Sequence, residues 1–88
     1  REAERNEIEI RLSGLSSRER EVLEGLVAGQ ANKQIAHTLG ISPRTIEIYR
    51  ANLMTKMQAA SLSDLVRMAM IARVIGPAAE SESGVSSG

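Results

Sequence analysis

The chain of 88 residues has no cysteine and a single histidine. Without thiols there is no disulfide framework, and with one imidazole a zinc site is all but excluded, so no metal and no cofactor is expected. The same composition suits a reducing, cytoplasmic setting. No apolar run approaches the roughly 20 residues of a membrane span, and the polar N-terminus lacks the pattern of a signal peptide; a soluble chain with no membrane partner follows. A phosphate-binding glycine loop is also missing, and so short a chain has no second lobe with which to build a cleft. His37 stands alone, and the serines lie at helix starts, where capping accounts for them. No catalytic residue is assigned, and an enzyme is not expected. There is no convincing strand and no internal repeat, which leaves an all-α chain with barely enough residues to bury one small core. Because it opens at Arg1 rather than a methionine, it reads as a piece of something longer.

Charge of one sign is lacking too, since 11 basic residues balance 11 acidic ones. A nucleic-acid-binding module is usually basic, so the total argues against one. The distribution reverses that. Residues 32 to 73 carry Lys33, Arg44, Arg50, Lys56, Arg67 and Arg73 against only Glu47 and Asp64, a local charge of +4, and the compensating acid lies in the flanks. Such a basic stretch is compatible with phosphate contact, though its footprint is modest.

What is present is a succession of capped amphipathic helices. Residues 1 to 11 are rich in Glu and Arg, with Arg5/Glu9 and Glu7/Arg11 spaced to pair across a helical turn. They predict a solvated connector helix, with Ile8 and Leu12 as its apolar positions, broken at Ser13-Gly14. Ser16 with Glu19 forms a capping box ahead of Val22, Leu23, Leu26 and Val27, and Gly29 stops that first helix of the domain. A second helix is expected from about Asn32 to Leu39, and a third from Pro43 to about Met57. Ser61 with Asp64 opens a fourth that carries Leu62, Leu65, Val66, Ala69 and Ile71 towards Ile75 before Gly76-Pro77 ends it. The Ser/Gly/Glu-rich remainder reads as disordered. The domains expected are therefore a linker helix over 1–14, a compact four-helix bundle over 15–76 and a disordered tail over 77–88.

Between Asn32 and Glu47 the sequence spells a helix-turn-helix. Ala36 is small where two helices must cross closely, Gly40 can take the positive φ of the turn, and Ile35, Ile41 and Ile46 fill the corner. Ser42-Pro43 then restarts the chain with an N-cap and a first-turn proline. Along the following helix, Ile46, Tyr49, Arg50, Leu53 and Met57 fall in one sector, the core side, with Arg50 having to snorkel outward. Arg44, Ile48, Ala51 and Thr55 fall on the opposite side, beside Glu47. In a major groove Arg donates to guanine, Glu accepts from cytosine N4, and Ile or Ala touches a thymine methyl. Thr45, Asn52 and Lys56 flank this face at phosphate-reaching positions, with Asn32 and Lys33 at the start of the preceding helix. On the fourth helix, Met68, Ile71 and Ile75 form a second apolar stripe, which implies a dimer interface unless the connector helix covers it through Ile8 and Leu12.

The strings Leu15-Ser16-x-Arg18-Glu19-x-Glu21-Val22-Leu23, Gly29-x-x-Asn32-Lys33-x-Ile35-Ala36 and Ile41-Ser42-x-Arg44-Thr45-Ile46-Glu47, followed by Met57 and Ser61-Leu62-x-x-Leu65-Val66, resemble the LuxR/FixJ/NarL-type C-terminal DNA-binding domain in order and spacing over about residues 15 to 75. The resemblance implies a four-helix fold whose third helix enters the major groove of double-stranded DNA and whose fourth commonly pairs two subunits into a homodimer on DNA. A linker would join it to an N-terminal regulatory domain, often a phosphorylatable receiver, and the charged segment Arg1 to Arg11 is similar to such linkers. On this reading Arg44, Glu47, Ile48 and Ala51 contact bases, while Asn32, Lys33, Thr45 and Lys56 contact the DNA backbone. Ala31 stands where the family often has a small hydroxyl or proline, and Tyr49 replaces the usual histidine as either a phosphate contact or core. Two alternatives remain: a helical module docking a receiver domain or an RNA polymerase subunit, and promoter binding in the manner of sigma-factor region four.

Overall fold

The structure is a computed structural model that describes residues 2–72. Five helices follow in order: α1 (Glu2–Ser13), α2 (Ser17–Val27), α3 (Asn32–Leu39), α4 (Pro43–Met57) and α5 (Leu62–Ala72), with no strand among the described residues. Ile75 and the tail expected from residue 77 lie outside them.

Side-chain caps start three of these helices. Ser16 Oγ accepts from Glu19 N at 3.1 Å while the Glu19 carboxylate accepts from Ser16 N at 2.9 Å, a complete capping box on α2. Ser42 Oγ accepts from Thr45 N ahead of Pro43, and Ser61 Oγ accepts from Asp64 N ahead of α5. α3 has no such cap, because its cap position is Ala31, which offers no side-chain acceptor. At the other ends, α2, α3 and α4 close alike. The backbone turns left-handed and an N–H reaches back six residues inclusive: Gln30 N to Gly25 O, Ile41 N to Ala36 O and Ala59 N to Met54 O, each 3.0 Å. Gly29 and Gly40 take the positive φ in the first two cases; in the third it falls to Gln58, at φ 56°.

One apolar cluster joins all five helices, and Val22, Leu23, Ile46, Leu53, Met57 and Leu65 are wholly enclosed within it. Burying side chains of this size contributes about 1.5–3 kcal/mol each, which is what fixes α4 across α2 and α3. Where α2 meets α3 the approach is close enough that a Cβ on Gly25 would lie 2.7 Å from Ile35 Cγ1.

α1 is part of this core rather than a solvated rod. Ile8 and Leu12 are buried, and the helix packs on both α4 and α5. Of the two readings of the stripe on the fourth helix, cover by the connector helix is the one that the packing of Met68 and Ile71 follows. Met68 is only 4% exposed and belongs to the core cluster with Ile8 and Leu12, and Ile71 packs against it half-buried. The apolar residues that α5 leaves in water lie on its other side: Leu62 and Met70 are exposed, with Val66 half-buried between them.

Candidate nucleic-acid interface

α4 presents its inner face to the core through Ile46, Leu53 and Met57, with Tyr49 and Met54 packed at the margin. The turn at Gly40 and the Ser42 cap set the angle at which it leaves α3, and Ser42 Oγ also lies 2.9 Å from Thr45 Oγ1, so that if Ser42 donates, the Thr45 O–H still points a donor outward. Arg44, Glu47, Ile48, Ala51, Asn52 and Thr55 all face solvent. Ile48 is 56% exposed. The i,i+3 ion pairs among the described residues are Arg18–Glu21 and Arg67–Asp64, and Arg44 with Glu47 is not among them. The outer face of the helix thus offers a guanidinium, a carboxylate and an apolar side chain side by side, with both charged groups free to meet a ligand.

The flanking residues divide. Lys33 and Asn52 are exposed. The Asn32 amide oxygen accepts from Arg50 Nη1 at 3.2 Å, which bolts the first turn of α3 to the middle of α4 and gives Arg50 the outward route that its core-side position requires. Tyr49 is half-buried against the core. Lys56 is committed most heavily: its Nζ lies 2.8 Å from Glu19 Oε1 and 3.3 Å from Gly14 O. That Glu19 carboxylate is buried, and its pKa is lowered by the Lys56 hydrogen bond and the Ser16 N–H, which outweigh the opposing effect of burial. Lys56 keeps 43% of its side chain exposed.

Sequence reasoning did not reach three of these features. Glu19 is legible as a capping residue, but nothing in the spacing announces a partner 37 positions away. The Arg50–Asn32 bond needs the crossing of α3 and α4. Gly25 carries one available signal, a glycine inside a helix, where it costs about 1 kcal/mol relative to alanine and so implies a compensating close approach.

Residues 13–69 match the family described as bacterial regulatory proteins, luxR family. The chain is 67% identical over 70 residues to the transcriptional regulatory protein FixJ of Azorhizobium caulinodans, covering 80% of this chain and 33% of that protein. Against FixJ of Bradyrhizobium diazoefficiens it is 61% identical over 74 residues, covering 84% and 36%. The response regulator protein TodT of Pseudomonas putida is 41% identical over 63 residues, covering 72% and 28%. A crystal structure of full-length FixJ from B. japonicum matches with a TM-score of 0.77 at 61% identity, covering 84% of this chain and 36% of that one. The chain spans about a third of the length of the FixJ proteins it matches.

Proposed function

The chain belongs to the luxR family of bacterial regulatory proteins, and from that membership we propose that it binds double-stranded DNA sequence-specifically as the output domain of a response regulator. The observation that carries this reading is the solvent face of α4, where Arg44, Glu47, Ile48 and Ala51 stand exposed on a helix held rigidly by a capped turn. In the major groove Arg44 donates to guanine, Glu47 accepts from cytosine and Ile48 with Ala51 meets thymine methyls. Lys33, Asn52, Thr45 and the uncapped start of α3 at Asn32 fix the register on phosphates. Lys56 joins them with the one donor left over from Glu19 and Gly14, and Tyr49 lies at the edge of the same surface. By likeness to the named response regulators, of which this chain spans about a third, an N-terminal receiver domain is part of the proposal.

The homodimer on DNA is reassigned to the exposed side of α5. Leu62, Val66 and Met70 recur at i, i+4 and i+8, one above the other, and an isologous contact through them would set two α4 helices about a dyad. Inverted half-sites about one helical turn apart would match that arrangement.

The test is selection of bound duplexes from a random-sequence pool, followed by titration of Arg44→Ala. The variant should lose about 1–3 kcal/mol on the selected duplex and much less on random DNA, with relaxed preference at one base pair. A wild-type chain that enriches no sequence refutes the reading.

A further inference from the structure

α1 lies almost wholly outside residues 13–69, the span matched by the family, yet it grips the far end of the helix assigned to DNA. The last carbonyls of any α-helix lack intrahelical partners. In α4, Met54 O and Thr55 O are satisfied by the chain's own turn, through Ala59 N and Gln58 N. Met57 O instead accepts from Arg11 Nη1 at 3.3 Å, across 46 positions of sequence. The Arg11 side chain is only 22% exposed and its other terminal nitrogen lies 3.6 Å from Glu7 Oε1, so Glu7 steadies it. A guanidinium at a helix C-terminus also complements the negative end of the helix dipole. One residue earlier, Lys56 Nζ reaches Gly14 O, the corner between α1 and α2. Both tethers hold the same turn of α4 to the same corner.

We propose that Arg11 is a positioning residue for DNA recognition, setting the tilt of α4 through Met57 O without touching DNA itself. This rests on the reading of α4 as the recognition helix. A helix of 15 residues is roughly 22 Å long, so a tilt of about 3° moves one end by about 1 Å. Base-edge hydrogen bonds need placement within about 0.5 Å, whereas phosphate contacts by flexible side chains absorb such a shift. Loss of the tether therefore removes specificity before it removes general affinity.

The test uses the whole chain and a duplex that the wild type has selected from a random pool. If the wild type selects none, the DNA-binding reading fails before Arg11 is tested. Given a selected duplex, Arg11→Met, which keeps the apolar stem, should weaken binding to it about fivefold to tenfold, matching the net worth of one partly exposed charged hydrogen bond. Binding to random duplex and the slope of log K against log salt should stay at the wild-type values. Tyr49, the sole aromatic residue of the chain, lies on α4, so its near-ultraviolet circular dichroism should change in Arg11→Met and return in Arg11→Lys together with affinity. Wild-type affinity of Arg11→Met for the selected duplex overturns the proposal. So does an equal loss on both duplexes with a shallower salt slope, which would make Arg11 a phosphate ligand. Should Arg11→Met fail to melt cooperatively, Arg11→Gln takes its place and the same outcomes decide.

Discussion

Replacing Lys56 by methionine keeps the stem packed and removes the ammonium. The Glu19 carboxylate, 6% exposed, would then retain only the Ser16 N–H as a strong partner. Breaking a fully buried ion pair costs about 3–5 kcal/mol, chiefly from the stranded charge. Here the lysine is 43% exposed, so water reaches one side of the pair and roughly half that penalty, about 2 kcal/mol, is expected. In a domain of this size that lowers Tm by roughly 8–16 °C. The penalty also depends on pH. Because Glu19 has its pKa lowered in the folded chain, first by Lys56, the pair stabilises above the ordinary glutamate range and its contribution is lost as pH falls through the depressed folded value. Urea denaturation followed by far-ultraviolet circular dichroism should accordingly give a gap between wild type and Lys56→Met that is widest near neutrality and closes on acidification below about pH 4. A variant as stable as wild type at neutral pH, or a gap that is constant with pH, would refute the assignment of Lys56 to Glu19.

Gln58→Gly should raise stability by about 0.5–1 kcal/mol, seen as a higher denaturation midpoint with unchanged slope, because the left-handed conformation strains any residue with a Cβ and this gain exceeds the extra chain entropy of glycine. Met70→Glu, on the exposed side of α5, should leave the melting temperature near wild type, abolish cooperative binding to a two-half-site duplex and spare binding to one half-site in gel shift; cooperative binding at wild-type strength would place the dimer surface elsewhere.

The helix-turn-helix was readable wherever a boundary has a local chemical cause. Ser16-Glu19 starts α2 and Gly29 ends it, Gly40 ends α3, and Ser42-Pro43 starts α4, each acting on the backbone within four residues. The outward set on α4 was readable for the same reason: 3.6-residue periodicity alone separates Ile48 from Ile46. What escaped depends on which elements become neighbours. Helical spacing groups Met68 with Ile71 but is silent on whether another helix covers them, and the cover is α1, a strongly charged segment that inserts just Ile8 and Leu12. The left-handed Gln58 escaped because glutamine carries no turn signal, unlike the glycines that end α2 and α3.

If the chain binds DNA as proposed, the same pairing that holds the fold limits how it does so. Of the five described basic residues after residue 31, Arg50 is spent on Asn32, Lys56 largely on Glu19, and Arg67 on Glu4 and Asp64. Lys33 and Arg44 are exposed and enter none of these pairs. Among the described residues of this stretch the phosphate footprint therefore reduces to Lys33, the residual capacity of Lys56 and whatever Arg44 shares between base and backbone. Hydroxyl, amide and backbone N–H contacts displace no counterions of their own. With about two to three ionic contacts per protomer, log K should fall against log salt with a slope of roughly −2 to −3 per protomer. Affinity would then rest on the base-reading face of α4 and on pairing through α5 more than on bulk electrostatics. Titrations of the selected duplex across a salt series measure this directly, and a slope steeper than about −5 per protomer would mean that Arg50 or Arg67 abandons its internal partner for phosphate.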